Sequence, residues 1–101
     1  MRRLGFLSII LLSACSKTEN TFIVVDEQRR VAEANLMLCG SERPLRRSGN
    51  QLAVSADIEC EGDGRITLRY ASGEKHDCIV GYVTPGALQS FTYRATQEGC
   101  A

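Results

Sequence analysis

Polar and apolar residues take turns through much of this chain. Leu52, Val54, Ala56 and Ile58 share one parity, with Gln51, Ser55, Asp57 and Glu59 on the other. Ile66, Leu68 and Tyr70 alternate with Arg65, Thr67 and Arg69, and Phe91, Tyr93 and Ala95 alternate with Thr92, Arg94 and Thr96. A period of two marks a strand that buries one face. Residues 78–84 are apolar on both parities, as expected of a central strand, and Thr21 to Val25 reads as a further strand. Gly and Pro punctuate the chain at Gly40, Pro44, Gly49, Gly62 with Gly64, Gly73, Pro85 with Gly86, and Gly99. Gaps of about ten to thirteen residues between such marks suit short antiparallel strands. Thr84-Pro85-Gly86-Ala87 has the Pro-then-Gly order of a type II turn and can join the last two strands.

Residues 27–39 read two ways. Glu27, Gln28, Arg29, Arg30, Ala32, Glu33, Ala34, Leu36 and Met37 are mostly good helix formers. Asp26 could cap such a helix at its start and Gly40 at its end. Yet Ala32, Ala34, Leu36 and Leu38 also share a strand parity, with Glu33 and Asn35 opposite. The strand is the preferred reading, because the neighbouring strands need a partner. The expected fold is therefore all-β: a small antiparallel sandwich or meander with two disulfides. An α+β fold with a helix at 27–39 is the alternative.

The first residues follow another logic. Arg2 and Arg3 precede an apolar run from Leu4 to Leu12, and small residues follow. Positive, apolar, small is the order of a bacterial export signal. The run is about half of the ~20 residues a helix needs to span a bilayer. Its end, Leu12-Ser13-Ala14-Cys15, resembles the lipobox of bacterial lipoproteins. That resemblance covers residues 1–15 only. It implies that the Cys15 thiol receives a diacylglyceryl group, that the signal 1–14 is cut away, and that the new amino terminus is acylated. It further implies a cell-envelope location with the membrane as a partner. Ser16 follows the cysteine, where lipoproteins retained in an inner membrane tend to carry Asp, so the outer membrane, facing the periplasm, is expected if the source has one. Residues 15–20 then form the lipidated cysteine and a short tether, and 21–101 a single domain.

Cysteine arithmetic agrees. The chain has five, and an odd cysteine in an exported protein needs an explanation. With Cys15 acylated, Cys39, Cys60, Cys78 and Cys100 remain, a number that an oxidising compartment pairs. Three connectivities are open. If strands near 31–39, 44–48, 51–59, 65–70, 78–84 and 89–96 alternate up and down, Cys39 and Cys60 end strands of the same direction. Cys78 and Cys100 then meet at the other end. The expected pairs are Cys39–Cys60 and Cys78–Cys100, and one crossover could break the scheme.

Charge narrows the partners. The chain carries 12 basic and 12 acidic residues. Without Arg2 and Arg3 the 12 basic residues become 10, so the processed form has a net charge of −2. That balance suggests no nucleic-acid partner. One basic cluster stands out, Arg43, Arg46 and Arg47. Arginine pairs well with phosphate, so the cluster is a candidate for an anionic surface, although charges also guard open sheet edges.

Catalytic signals are thin. Lys75-His76-Asp77-Cys78 places the single histidine two residues from a cysteine, on one face of a strand, and a Cys–His pair can generate a thiolate nucleophile. A disulfide at Cys78 would remove that option. The cysteine spacings do not suit zinc, and the acidic stretch 59–64 lacks the ligand order of a calcium loop. No metal or other cofactor is expected. The reading that results is a lipid-anchored envelope protein acting as a non-enzymatic interaction or structural module, with an unidentified envelope protein as partner. The alternative is a small inhibitor or immunity-type protein against an envelope hydrolase, presenting the loop Thr84 to Gln89.

Overall fold

The computed structural model describes residues 20–86 and 88–101. The expected export signal, 1–14, and Cys15 lie outside the described residues. Nine strands account for most of the rest: β1 (Asn20–Val25), β2 (Val31–Leu38), β3 (Ser41–Pro44), β4 (Arg46–Ser48), β5 (Gln51–Ala56), β6 (Gly62–Tyr70), β7 (Lys75–Val83), β8 (Ser90–Thr96) and β9 (Gly99–Cys100). They form one sheet ordered β4-β5-β1-β8-β9 and a second ordered β3-β2-β6-β7. Every pair is antiparallel except β1 with β8, which is parallel.

The inner faces follow the alternation. Phe22, Val24, Leu52, Ala56 and Ala95 from the first sheet pack with Ala34, Leu36, Leu38, Ile66, Leu68 and Tyr70 from the second in one buried core. Phe22 and Phe91, neighbours across the parallel pair, stack with ring centroids 4.8 Å apart.

Residues 31–38 are a strand, and no helix occurs among the described residues. Burial supplies the reason. Leu36 is fully inside and pairs with Ile66 of β6, a tertiary gain that outweighs intrinsic helix preference. A register shift between Val31 and Glu33 turns the parity there, so Val31 faces inward in place of Ala32.

Two expectations are corrected. The single strand near 44–48 is two strands, with Leu45 between them. β3 pairs with β2 in one sheet and β4 with β5 in the other, while Leu45 is buried and its amide donates to the Ala34 carbonyl at 2.9 Å. The doubly apolar segment 78–84 is not a central strand. It belongs to β7, an edge of its sheet, and leaves Ile79 and Tyr82 exposed. The Pro85-Gly86 turn does lie between the last long strands, and Gly86 has the positive φ of 85° that a type II turn requires. But β7 and β8 belong to different sheets, so the connection crosses the sandwich and does not close a hairpin.

Both expected disulfides form, Cys39–Cys60 and Cys78–Cys100. Successive strands do run in alternating directions, β3 and β4 counting as one. The chain also changes sheet four times, between β1 and β2, β3 and β4, β5 and β6, and β7 and β8. Alternation in direction sets which end each cysteine reaches, so the crossings leave the pairing intact. Cys78 itself sits within β7 and does not open it, since the strand begins at Lys75. Its bond to Cys100 of β9 joins the free edges of the two sheets. The opposite edges are joined by the chain itself at Leu45, so the sandwich is closed on both sides.

Candidate functional site

Strand directions define two ends. β1 enters at Asn20, which lies opposite Ala56 at the end of β5, and Thr21 lies beside Ser90 at the start of β8. This entry end also collects the end of β2, the start of β6 and the Cys39–Cys60 bond. At the far end lie the β1–β2 loop, the β4–β5 and β6–β7 hairpins and the turn after β8.

The far end is built around Asp26, which has no solvent exposure. Its carboxylate accepts the Arg30 amide at 2.9 Å, the Val31 amide at 3.0 Å and Arg47 Nη2 at 2.7 Å. Arg47 also donates to the carbonyls of Val31 at 2.8 Å and Gly49 at 3.2 Å. Burial pushes the Asp26 carboxyl up. Hydrogen bonds from Arg47, Val31 and Arg30, with the charge of Arg47, outweigh it and hold the group below the ordinary 3.8. Asp26 thus accepts backbone amides as a helix cap would, but it fixes the loop that leads into a strand.

Next to it is an open cleft of about 390 Å³ lined by Arg30, Tyr70, Ala71, Ser72, Glu74 and Gln97. The Ala71 amide donates to the Arg30 carbonyl at 2.8 Å, which fastens one wall to the other. The Tyr70 hydroxyl reaches across to the other sheet, with the Gly99 carbonyl at 2.6 Å and that of Thr96 at 2.9 Å. Burial raises its pKa, so it stays a donor. Glu74 Oε1 lies 3.3 Å from His76 Nε2, and His76 meets the Tyr70 ring edge-on at 5.0 Å. Arg30 makes no side-chain ion pair among the described residues, and its Nε is buried without a partner. Arg30 thus lines the cleft with no side-chain partner among the described residues, beside the Glu74 carboxylate and the Gln97 side-chain amide. Such a set recognises a polar group with acceptor oxygens.

The arginine cluster is divided. Arg47 is drawn into the ion pair with Asp26. Arg43 lies in β3 opposite Leu36, and Arg46 in β4 opposite Ala53, both exposed and at mid-height of the sandwich. Neither makes a salt bridge among the described residues. His76 and Cys78 do share a face of β7, but the Cys78 sulfur is bonded to Cys100. No cluster of His, Cys, Asp or Glu suited to a metal occurs among the described residues. The loop from Thr84 is at the entry end, where the Gln89 amide donates to Asn20 Oδ1 at 2.6 Å.

Arg30 and Asp26 were not apparent as site residues in the sequence. The one available signal was Asp26 at the end of an alternating run, where a polar residue on the buried parity of Phe22 and Val24 demands internal partners. Comparison with protein-family models, with curated proteins and with solved structures finds no match to this chain.

Proposed function

We propose that the chain is a lipid-anchored module of the bacterial envelope, held by acyl groups on Cys15, which binds another envelope component without catalysing a reaction. The observation that carries this reading is the separation of its two ends. The strand that follows the tether enters at one end, and the polar cleft with the free Arg30 guanidinium opens at the other. A tether of this length keeps the entry end near the bilayer and leaves the cleft facing outward. The rigid, disulfide-closed sandwich between them is a spacer and a scaffold. The bonded state of Cys78 takes away the thiolate on which the Cys–His alternative depended.

The inhibitor reading fares less well, because an anchored chain would hold the loop Thr84 to Gln89 toward the bilayer and away from a soluble hydrolase. For the anionic-surface reading, Arg43 and Arg46 are the exposed pair left to carry it.

Two measurements test the proposal. Mass spectrometry of the native protein should find the terminus at residue 15 with fatty-acid mass on it; an intact Met1 terminus without acyl mass ends the anchoring half. A photo-crosslinking residue at Gln97 should capture an envelope component in cells, and the same residue at Asp57 should not. Capture from Asp57 alone would reverse the assignment of the binding end.

A further inference from the structure

Only three large apolar side chains are strongly exposed among the described residues: Ile79, Tyr82 and Leu88. Tyr82 and Leu88 lie toward the entry end, and Leu88, 68 % exposed, is next to it. The Gln89 amide donates to Asn20 Oδ1 at 2.6 Å, and the Thr21 amide donates to the Gln89 carbonyl at 3.2 Å. These bonds pin the segment after Leu88 to the first residues of β1. We propose that Leu88, with Tyr82 at the same end, sits in the headgroup boundary of the bilayer and holds the domain upright, with its cleft turned away.

This rests on the anchoring of Cys15 proposed above. What identifies the occupant is the chain between that cysteine and the domain. From Cys15 to Asn20 the backbone reaches at most about 17 Å at ~3.5 Å per residue. Leu88 directly precedes Gln89, which is bonded to Asn20, so the anchor keeps it near the membrane surface. A leucine at that depth leaves water for the acyl boundary, and a tyrosine suits the interface, apolar in its ring and polar at its tip. The Tyr82 hydroxyl already donates to Glu61 at 3.1 Å, which fixes the ring on its strand.

Charge selects the kind of lipid. Asp57, Glu59, Glu61 and Asp63 are exposed near the entry end, and the stretch 57–63 has no basic residue. Lys17 and Glu19 of the tether cancel. An acidic end is repelled by an anionic leaflet, so the contact is with zwitterionic headgroups and depends on apolar insertion.

The chain has no tryptophan, so Leu88→Trp and Gln28→Trp each supply a single reporter, one at each end. Both positions are exposed, and disulfide mapping verifies the fold of each variant. The full lipidated protein is reconstituted in phosphatidylcholine vesicles whose acyl chains carry a quencher. Leu88→Trp should be quenched severalfold more than Gln28→Trp, with blue-shifted emission, and the difference should shrink when phosphatidylglycerol is added. Equal quenching at the two positions, in protein whose acyl mass is confirmed, overturns the seating and leaves the anchor standing. Absence of acyl mass removes the anchor and the seating together.

Discussion

Asp26 is the residue on which the far end depends. Taking a carboxylate out of water is costly, and it is tolerated here because three donors converge on it. Asp26→Ala would leave Arg47 and two amides without their acceptor. The expected loss is about 3 kcal/mol, read by chemical unfolding. The pH dependence has a definite sign. A folded-state pKa below 3.8 means the stabilisation is complete above that value and disappears as pH falls through the lower one. The wild-type unfolding midpoint should therefore decline below about pH 4, and Asp26→Asn should flatten that limb. The same geometry separates three arginines that look equivalent in the sequence. Arg47→Ser should lower the melting temperature by several degrees, whereas Arg43→Ser and Arg46→Ser should leave it nearly unchanged. Equal effects from all three would contradict the ion pair. Tyr70→Phe is expected to cost about 1 kcal/mol by leaving the Gly99 and Thr96 carbonyls without their donor.

Among the elements, the edges decide how the sandwich holds. Leu45 carries the chain from one sheet to the other on one side, and Cys78–Cys100 bridges the other side. The two disulfides close loops of nearly equal length, with separations of 21 and 22 residues. Chain entropy alone gives each about 3 kcal/mol. Cys78 is buried and Cys39 is exposed, so a Cys78→Ala/Cys100→Ala variant also leaves a cavity. It should be less stable than a Cys39→Ala/Cys60→Ala variant, with faster amide exchange in β9 and the end of β8. Equal stability would mean that the bridge adds nothing beyond loop closure. The strands themselves were legible in the sequence because the inner positions of β5, β6 and β8 repeat every second residue. The split at Leu45 was not, because one inward leucine between two exposed strands leaves no periodic trace. The apolar outer positions of β7 misled for a related reason: Ile79 and Tyr82 look like core residues until the sheet order puts them at an edge.

For the whole molecule, the proposed function rests on the difference between its two ends. The candidate cleft draws on Arg30, Tyr70, Ser72, Glu74 and Gln97, which come from three separate turns and meet because β1, β6 and β8 all rise to the same end. Arg30→Ala should abolish the capture of an envelope component from Gln97 while leaving the fold intact, since the Arg30 contacts that hold the loop come from its backbone. Undiminished capture would place the partner elsewhere on the far end.

The amino-acid sequence by itself carried the positions of most strands and favoured the all-β class over a helix at 27–39 and the pairing Cys39–Cys60 with Cys78–Cys100 over the other two connectivities. The strand positions follow from local periodicity, and the pairing from the alternating direction of successive strands, which the four changes of sheet leave intact. The tertiary structure decided which strands are edges, how Arg47 differs from Arg43 and Arg46, and which loops share an end. Those properties depend on partners far apart in the chain. No spacing of residues encodes that Arg47 lies beside Asp26 or that Gln89 lies beside Asn20, because only the packing of one sheet on the other brings them together.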